Sequence, residues 1–266
     1  MTLDTQRAAT ILCEHWRSGT ALDVLPDGAR PSTRAEGHAI QALLPAVAGR
    51  SVVGWKIAAT SKAGQAHINV SGPLAGRILS GEVDSDGATV SLHGNRMRVA
   101  EPEIAFRFGR ELAPRAQAFE VDDVLDTVDA VIPAFEVPNS RFAEFVRAGE
   151  PQLQADNACC GRFVFGVPAA GVDWRALDLR VLQVHAQVSD ANGPRFERRG
   201  DGSAALGDAR VALTWLANEL RGLGIALRAG DVVSTGTCMV PLEVQPGDTV
   251  HADYGVLGKL SIRLRA

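Results

Sequence analysis

Val99-Ala100-Glu101-Pro102-Glu103-Ile104-Ala105-Phe106 and Val131-Ile132-Pro133-Ala134-Phe135-Glu136-Val137 are apolar runs interrupted by acidic residues. In an extended strand alternate side chains share a face, so Glu101 and Glu103 point the same way and Glu136 can close the group from a neighbouring strand. Three convergent carboxylates suit a hard divalent cation: magnesium takes a few carboxylate oxygens, keeps waters and leaves positions where a substrate can chelate. The apolar surroundings strengthen that reading. A buried carboxylate without a cation costs several kcal/mol or gives up its charge, and clustered carboxylates repel one another. A metal relieves both problems; ion pairs from Arg98, Arg107 or Arg141 are the competing structural explanation.

Outward from these runs the chain reads as short strands between turns. Before them, Ala8, Ala9, Ile11, Leu12 and Trp16 recur at helical spacing over 5–25, and Thr33 with Glu36 makes a capping-box pattern ahead of Ala39, Ile40, Leu43 and Leu44. From Val52 onward Gly72-Pro73, Asp86-Gly87 and His93-Gly94-Asn95 mark turns. Val184, Ala186 and Val188 alternate with polar residues up to Asn192-Gly193, the strongest short hairpin signal in the chain. A helix over about 208–222 places Ala212, Trp215, Leu216 and Leu220 on one face, and strands are expected at Val232-Val233, Thr249–Tyr254 and Leu260–Leu264. Gly200-Asp201-Gly202-Ser203 lacks the lysine of a phosphate loop and reads as a surface turn. The fold class that follows is α+β, an N-terminal helical part (1–50) packed as one unit with a mainly antiparallel, rolled or barrel-like sheet domain (51–266).

Composition narrows the function. The 266 residues, 46% hydrophobic and 22% charged, can build an ample core. A net charge of −4, aromatics at 5% and a single Tyr argue against a nucleic-acid surface. No apolar stretch approaches a membrane span and the N-terminus has no signal core, so the expected location is cytoplasmic. Cys13, Cys159, Cys160 and Cys238 lack C-x-x-C pairing and are expected to be reduced; His185 and His251 lack ligand spacing and are expected to be exposed or structural.

Read in order, Gly54-Trp55-Lys56-Ile57, Val99–Phe106, Phe135-Glu136-Val137-Pro138-Asn139-Ser140-Arg141, Asp156-Asn157-Ala158-Cys159-Cys160-Gly161, Leu213–Asn218, Gly230–Gly236 and Gly247–Val250 form a set. It resembles the 2-keto-4-pentenoate hydratase and 4-oxalocrotonate decarboxylase branch of the fumarylacetoacetate hydrolase superfamily, over nearly the whole chain. The resemblance implies a mixed β-roll with a helical N-terminal part, and homo-oligomers. It implies magnesium or manganese on Glu101, Glu103 and Glu136, Lys56 in the same cavity, and Thr235-Gly236-Thr237 at the pocket wall. Two departures stand out. Relatives tend to carry an acid in the segment matching Val70–Gly76, where this chain has Ser71 and Leu74, and small hydroxyl residues where it has Cys159-Cys160; thiols donate hydrogen bonds poorly.

A 2-oxo acid chelates an open magnesium site through its carboxylate and keto oxygens, and one Lewis acid then serves hydration, decarboxylation or carbon–carbon hydrolysis. The expected activity is a metal-dependent lyase, hydrating a 2-keto-4-pentenoate-like substrate in aromatic-compound catabolism. The alternatives are 4-oxalocrotonate-type decarboxylation, acylpyruvate-type hydrolysis, or a non-catalytic subunit of a pathway enzyme complex. Lys56 either snorkels to solvent or binds the substrate carboxylate and moves a proton. Asp156 is either an acid supporting the site or a loop-forming residue, and Cys160, Thr235 and Gly236 are candidate substrate contacts.

Overall fold

The computed structural model describes residues 2–266. Helices and strands run, in chain order, α1 (Thr5–Ser18), α2 (Arg34–Gln41), α3 (Leu44–Ala48), β1 (Val52–Ala58), α4 (Lys62–His67), β2 (Leu74–Leu79), β3 (Val83–Ser85), β4 (Thr89–Ser91), β5 (Val99–Phe108) and α5 (Val121–Leu125). They continue with β6 (Val128–Val137), α6 (Glu150–Ala155), β7 (Arg162–Phe165), β8 (Gln183–Asp190), β9 (Gly193–Asp201), α7 (Ala209–Gly222), β10 (Val232–Thr237), β11 (Leu242–Glu243), β12 (Thr249–Asp253) and β13 (Lys259–Arg265). The larger sheet has the order β2-β1-β10-β5-β6-β7-β3 with β11 on the start of β5, and the smaller has β4-β13-β12-β8-β9. Most pairs are antiparallel; β1/β10, β3/β7 and β4/β13 are parallel. This is the mixed α+β roll expected, a curled half-barrel with helices against it.

Alternation along the strands divides the larger sheet into two faces. Phe106, Phe135 and Trp55 join Val250, Leu260 and Leu216 in the main core, between the two sheets and α7. Ala105, Ile132 and Ala134 lie on the opposite face, the one that carries the acids. The first helix is shorter than its periodicity suggested: Gly19, at φ 67, ends α1 at Ser18, because a left-handed residue cannot continue the helix. Thr33 and Glu36 form the capping box of α2. In α7 the buried face is Ala212, Leu213, Leu216 and Leu220, with Trp215 only partly covered at its flank.

The helices α1 to α3 share a second core with Leu74, Phe142, Leu153 and Ala158, so segments from both halves of the sequence close the helical layer. That layer also blocks the free edge of β2. Asn157 donates to Arg77 O and accepts from Arg77 N, and Gln41 and Gln154 both donate to Ala75 O, which uses up groups that an edge strand would otherwise offer to another chain. Within Gly200–Ser203 the end of β9 runs into a short 3₁₀ turn whose Ser203 is exposed, but the two glycines are packed against other backbone. A Cβ on Gly200 or Gly202 would come within 2.0 Å of the Cys238 or Leu179 carbonyl oxygen, so close backbone approach is what these glycines serve.

Candidate active site

Antiparallel pairing puts Glu101 opposite Glu136 and Glu103 opposite Ala134, so the three carboxylates emerge on one face of β5 and β6. Ligand oxygens from Glu101, Glu103 and Glu136 lie within 4.8 Å of one another. Glu103 Oε2 accepts from Ser234 Oγ at 2.6 Å and from Gly236 N at 2.9 Å, while its Oε1 and Glu136 Oε2 are buried with no hydrogen-bond partner among the described residues. The arginines that could have explained the acids are engaged elsewhere: Arg107 with Asp129, Arg141 with Asp156, Arg98 with the Asn95 carbonyl. Among the described residues Lys56 is the one cation paired with the group, its Nζ 3.1 Å from Glu136 Oε1. Three carboxylates against one ammonium, with orphaned oxygens aimed at a common point, fit a hard divalent cation.

Burial, the Glu136 carboxylate and Glu101 raise the pKa of Glu103 well above the usual carboxylate range, and burial raises that of Glu136 despite Lys56. Glu101, at the floor of the cleft, is pushed up to about 8 by burial and by Glu136, with Lys56 opposing. The metal-free native state therefore holds protons on this group between about pH 4.5 and 8 that the unfolded chain has released. Binding more protons when folded means that stability falls as pH rises through that window. The melting temperature without metal is expected to drop from pH 5 to 8 while the increment added by magnesium grows, and a calorimetric titration at neutral pH should register proton release. An increment independent of pH would count against this assignment.

Lys56 lies on β1 and its burial works against the charged form, but Glu136 and Glu101 more than compensate and its pKa is raised. Nζ donates to Ala158 O at 2.9 Å. Gly76, opposite Lys56 on β2, leaves room for the lysine stem, since a Cβ there would come within 2.9 Å of Lys56 Cγ and Cδ. The carbonyl that holds Nζ belongs to an uncommon turn: Asn157, Ala158 and Cys159 all have positive φ, at 57°, 53° and 57°. Left-handed backbone costs roughly 1–2 kcal/mol per non-glycine residue. Ala158→Gly is accordingly expected to stabilise the protein by about 1 kcal/mol in denaturant unfolding, with a loosened Lys56 showing as reduced turnover.

A cleft of about 480 Å³ opens over this floor, lined by Lys56, Glu101, Gly236, Thr237, Cys159 and, toward the mouth, Ile68, Met97, Met239 and Val240. Gly236 needs its φ of 103° and its missing Cβ, which would fall 2.3 Å from Thr60 Oγ1. The carboxylate met by its N–H is the protein's own Glu103. Thr235 donates to Ile104 O behind the wall, and Cys160 donates to Arg77 O, so neither side chain faces the cleft. Cys159 does face it, as a neutral thiol, with burial pushing its pKa up to about 12. Thr237 lines the cleft as the resemblance implied, whereas Met97 and the Met239–Pro241 loop carry no motif in the sequence and are found only through the fold.

Asp156 lies wholly inside, accepting from Ser140 Oγ at 2.7 Å and pairing with the Arg141 guanidinium. It anchors the start of the left-handed turn and does not border the cleft. Asp156→Ala would leave the buried Arg141 charge without its partner, at an expected cost of about 3–5 kcal/mol in chemical denaturation. An unchanged midpoint would show that the pair is dispensable to the scaffold.

The fumarylacetoacetate (FAA) hydrolase C-terminal family matches residues 80–265. The chain is 30% identical over 264 residues to a 2-keto-4-pentenoate hydratase of Paraburkholderia xenovorans (strain LB400), covering 96% of this chain and 93% of that protein. It is 33% identical over 257 residues to a 2-hydroxyhexa-2,4-dienoate hydratase of Comamonas testosteroni, covering 95% and 94%. Among solved structures, a 4-oxalocrotonate decarboxylase from Pseudomonas putida G7 complexed with magnesium and adipate superposes with a TM-score of 0.82 at 25% identity, over 99% of this chain and 100% of that one. With the carboxylate triad on its roll and full-length likeness to hydratases, the chain belongs to the fumarylacetoacetate hydrolase family, in the branch of the 2-keto-4-pentenoate hydratases and 4-oxalocrotonate decarboxylases.

Proposed function

We propose that this enzyme is a metal-dependent lyase that hydrates a small unsaturated 2-oxo acid of the 2-keto-4-pentenoate kind, in the breakdown of aromatic compounds. The observation that carries the reading is the group at the cleft floor, where Glu101 and Lys56 border the cleft and the carboxylates of Glu103 and Glu136 stand within 4.8 Å of that of Glu101, with Glu103 Oε1 and Glu136 Oε2 unpartnered. Magnesium or manganese held by these three residues would supply a Lewis acid for the 2-oxo oxygen and draw charge away from the conjugated double bond. Lys56 Nζ, which donates to Ala158 O, would hold the substrate carboxylate or hand a proton to carbon as water adds. The apolar walls keep bulk water from that step.

No helix among the described residues is long and apolar enough to cross a membrane, which accords with a cytoplasmic catabolic enzyme. Decarboxylation is the second reading, favoured by Leu74 where relatives tend to carry an acid and by a lysine that stays protonated and so can quench a carbanion. The test is ultraviolet-monitored turnover of 2-hydroxy-2,4-dienoates and of 4-oxalocrotonate, with magnesium, with manganese and after chelation, with carbon dioxide release followed in parallel. Metal-dependent loss of the diene without carbon dioxide identifies the hydratase. Turnover that survives chelation would sink the metal-centred reading.

A further inference from the structure

We infer that the cleft selects 2-oxo acids with a long, uncharged apolar tail, an alkyl or aryl group beyond the double bond, and discriminates against those that end in a second carboxylate. The inference rests on the reading of the floor as the site for the 2-oxo acid head. Given that head position, the remaining space is far larger than a five-carbon acid needs: about 480 Å³ lies within the range of clefts that hold drug-sized ligands.

Charge in the cleft is confined to its ends. Lys56 and Glu101 sit at the floor with the neutral Cys159 thiol, and the remaining ionisable side chain on the lining is His67, exposed and edge-on to the Phe145 ring at 6.0 Å. Between them the walls are mainly apolar, Ile68, Met97, Met239, Val240 and Pro241, with the neutral hydroxyl residues Thr60, Ser61 and Thr237. The neighbouring basic residues Arg198 and Lys62 are not on this lining. Arg198 donates to Pro241 O and pairs with Glu243 at 2.7 Å, and Lys62 donates to Gln65 Oε1 at 3.2 Å beside a neighbouring cavity. A carboxylate at the far end of a substrate would lose its water with no cation to receive it, whereas an apolar tail loses nothing.

Val240 adds a second, independent observation. It is 68% exposed at the mouth, although the loop that carries it is tied down by Thr237 Oγ1 donating to Met239 O at 2.8 Å and by Arg198 on Pro241 O. A large apolar side chain held in water at the lip of an apolar cleft gains by covering a ligand's tail. Each methylene buried there should raise affinity roughly fourfold.

The experiment compares, with magnesium present, the five-carbon 2-hydroxy-2,4-dienoate, its butyl- and phenyl-extended homologues, and a homologue ending in carboxylate. The butyl and phenyl substrates are expected to exceed the five-carbon acid at least tenfold in kcat/KM, and the dicarboxylate to fall at least tenfold below them. A preference for the five-carbon acid, or parity of the dicarboxylate, overturns the inference. Calorimetric binding of saturated 2-oxo acids bearing the same tails separates this outcome from failure of the hydratase reading: the same ranking without turnover supports the inference and defeats the hydration chemistry, and a flat ranking with high turnover does the reverse. Val240→Arg, at an exposed position that the fold does not depend on, is expected to shift the ratio tenfold or more toward the dicarboxylate. An unmoved ratio would remove the tail from this lip.

Discussion

Glu103→Gln is expected to lower metal-dependent turnover about a thousandfold, because a Lewis acid supplies several kcal/mol of transition-state stabilisation and each ~1.4 kcal/mol is a factor of ten. Glutamine is the informative substitution. Glu103 Oε2 receives the Ser234 hydroxyl and the Gly236 N–H, and an amide oxygen can go on accepting both, whereas alanine would leave a buried backbone donor without a partner. The change thus removes a charge and a metal ligand while keeping the scaffold contacts. Without metal at neutral pH the variant should melt higher than the wild type, since it is spared the cost of keeping a buried carboxyl protonated where the unfolded chain would release the proton. Added magnesium should raise the wild-type melting temperature in proportion to occupancy and leave the variant nearly unmoved. An equal magnesium shift in both proteins would show that Glu103 is not a ligand.

Much of this site was legible because a strand has a period of two. Glu-x-Glu on one apolar run and a lone Glu on another suffice to place three acids on a common face once the two strands pair, and the register Glu101 to Glu136 is the pairing that does it. Capping chemistry was equally local: Thr33 and Glu36 opened α2, and Asn192-Gly193 turned β8 into β9. What escaped depends on contacts distant in sequence. Whether Arg98, Arg107 or Arg141 would neutralise the acids could not be read from spacing; their partners are Asn95, Asp129 and Asp156, chosen by the fold. Thr235 and Gly236 are neighbours in a motif, yet one bonds inward to Ile104 and the other borders the cleft, an outcome of the irregular pairing between Ser234 and Thr237. The left-handed turn at 157–159 has no glycine to announce it.

Lys56→Met is expected to reduce turnover by about 10²–10⁴-fold, the range of a positioned proton-transfer group, with the magnesium-induced gain in melting temperature retained. Methionine keeps most of the stem that packs against Gly76 and loses only the ammonium. If Lys56 delivers a proton, kcat carries the loss; if it serves only to bind the substrate carboxylate, KM rises and kcat is largely spared. The raised pKa favours a donor, since the group is charged at neutral pH and cannot act as a base. The segment Val70–Gly76, where the family resemblance leads one to expect an acid, bears on the same question. Ser71 is exposed and donates through both its N and Oγ to Glu150 at 2.7 Å, beside the neighbouring cavity, so Ser71→Asp would set a carboxylate against Glu150 and reach nothing near Lys56. Leu74 is the closer position: on β2 it pairs with Ala58 of β1, shares the face of Gly76 and Lys56, and belongs to the same core as Ala158. Its buried leucine leaves Lys56 as the proton carrier nearest the triad. Ser71→Asp should therefore leave turnover unchanged, and a kcat restored by Ser71→Asp in the Lys56→Met background would transfer the proton-handling role from the lysine to that segment.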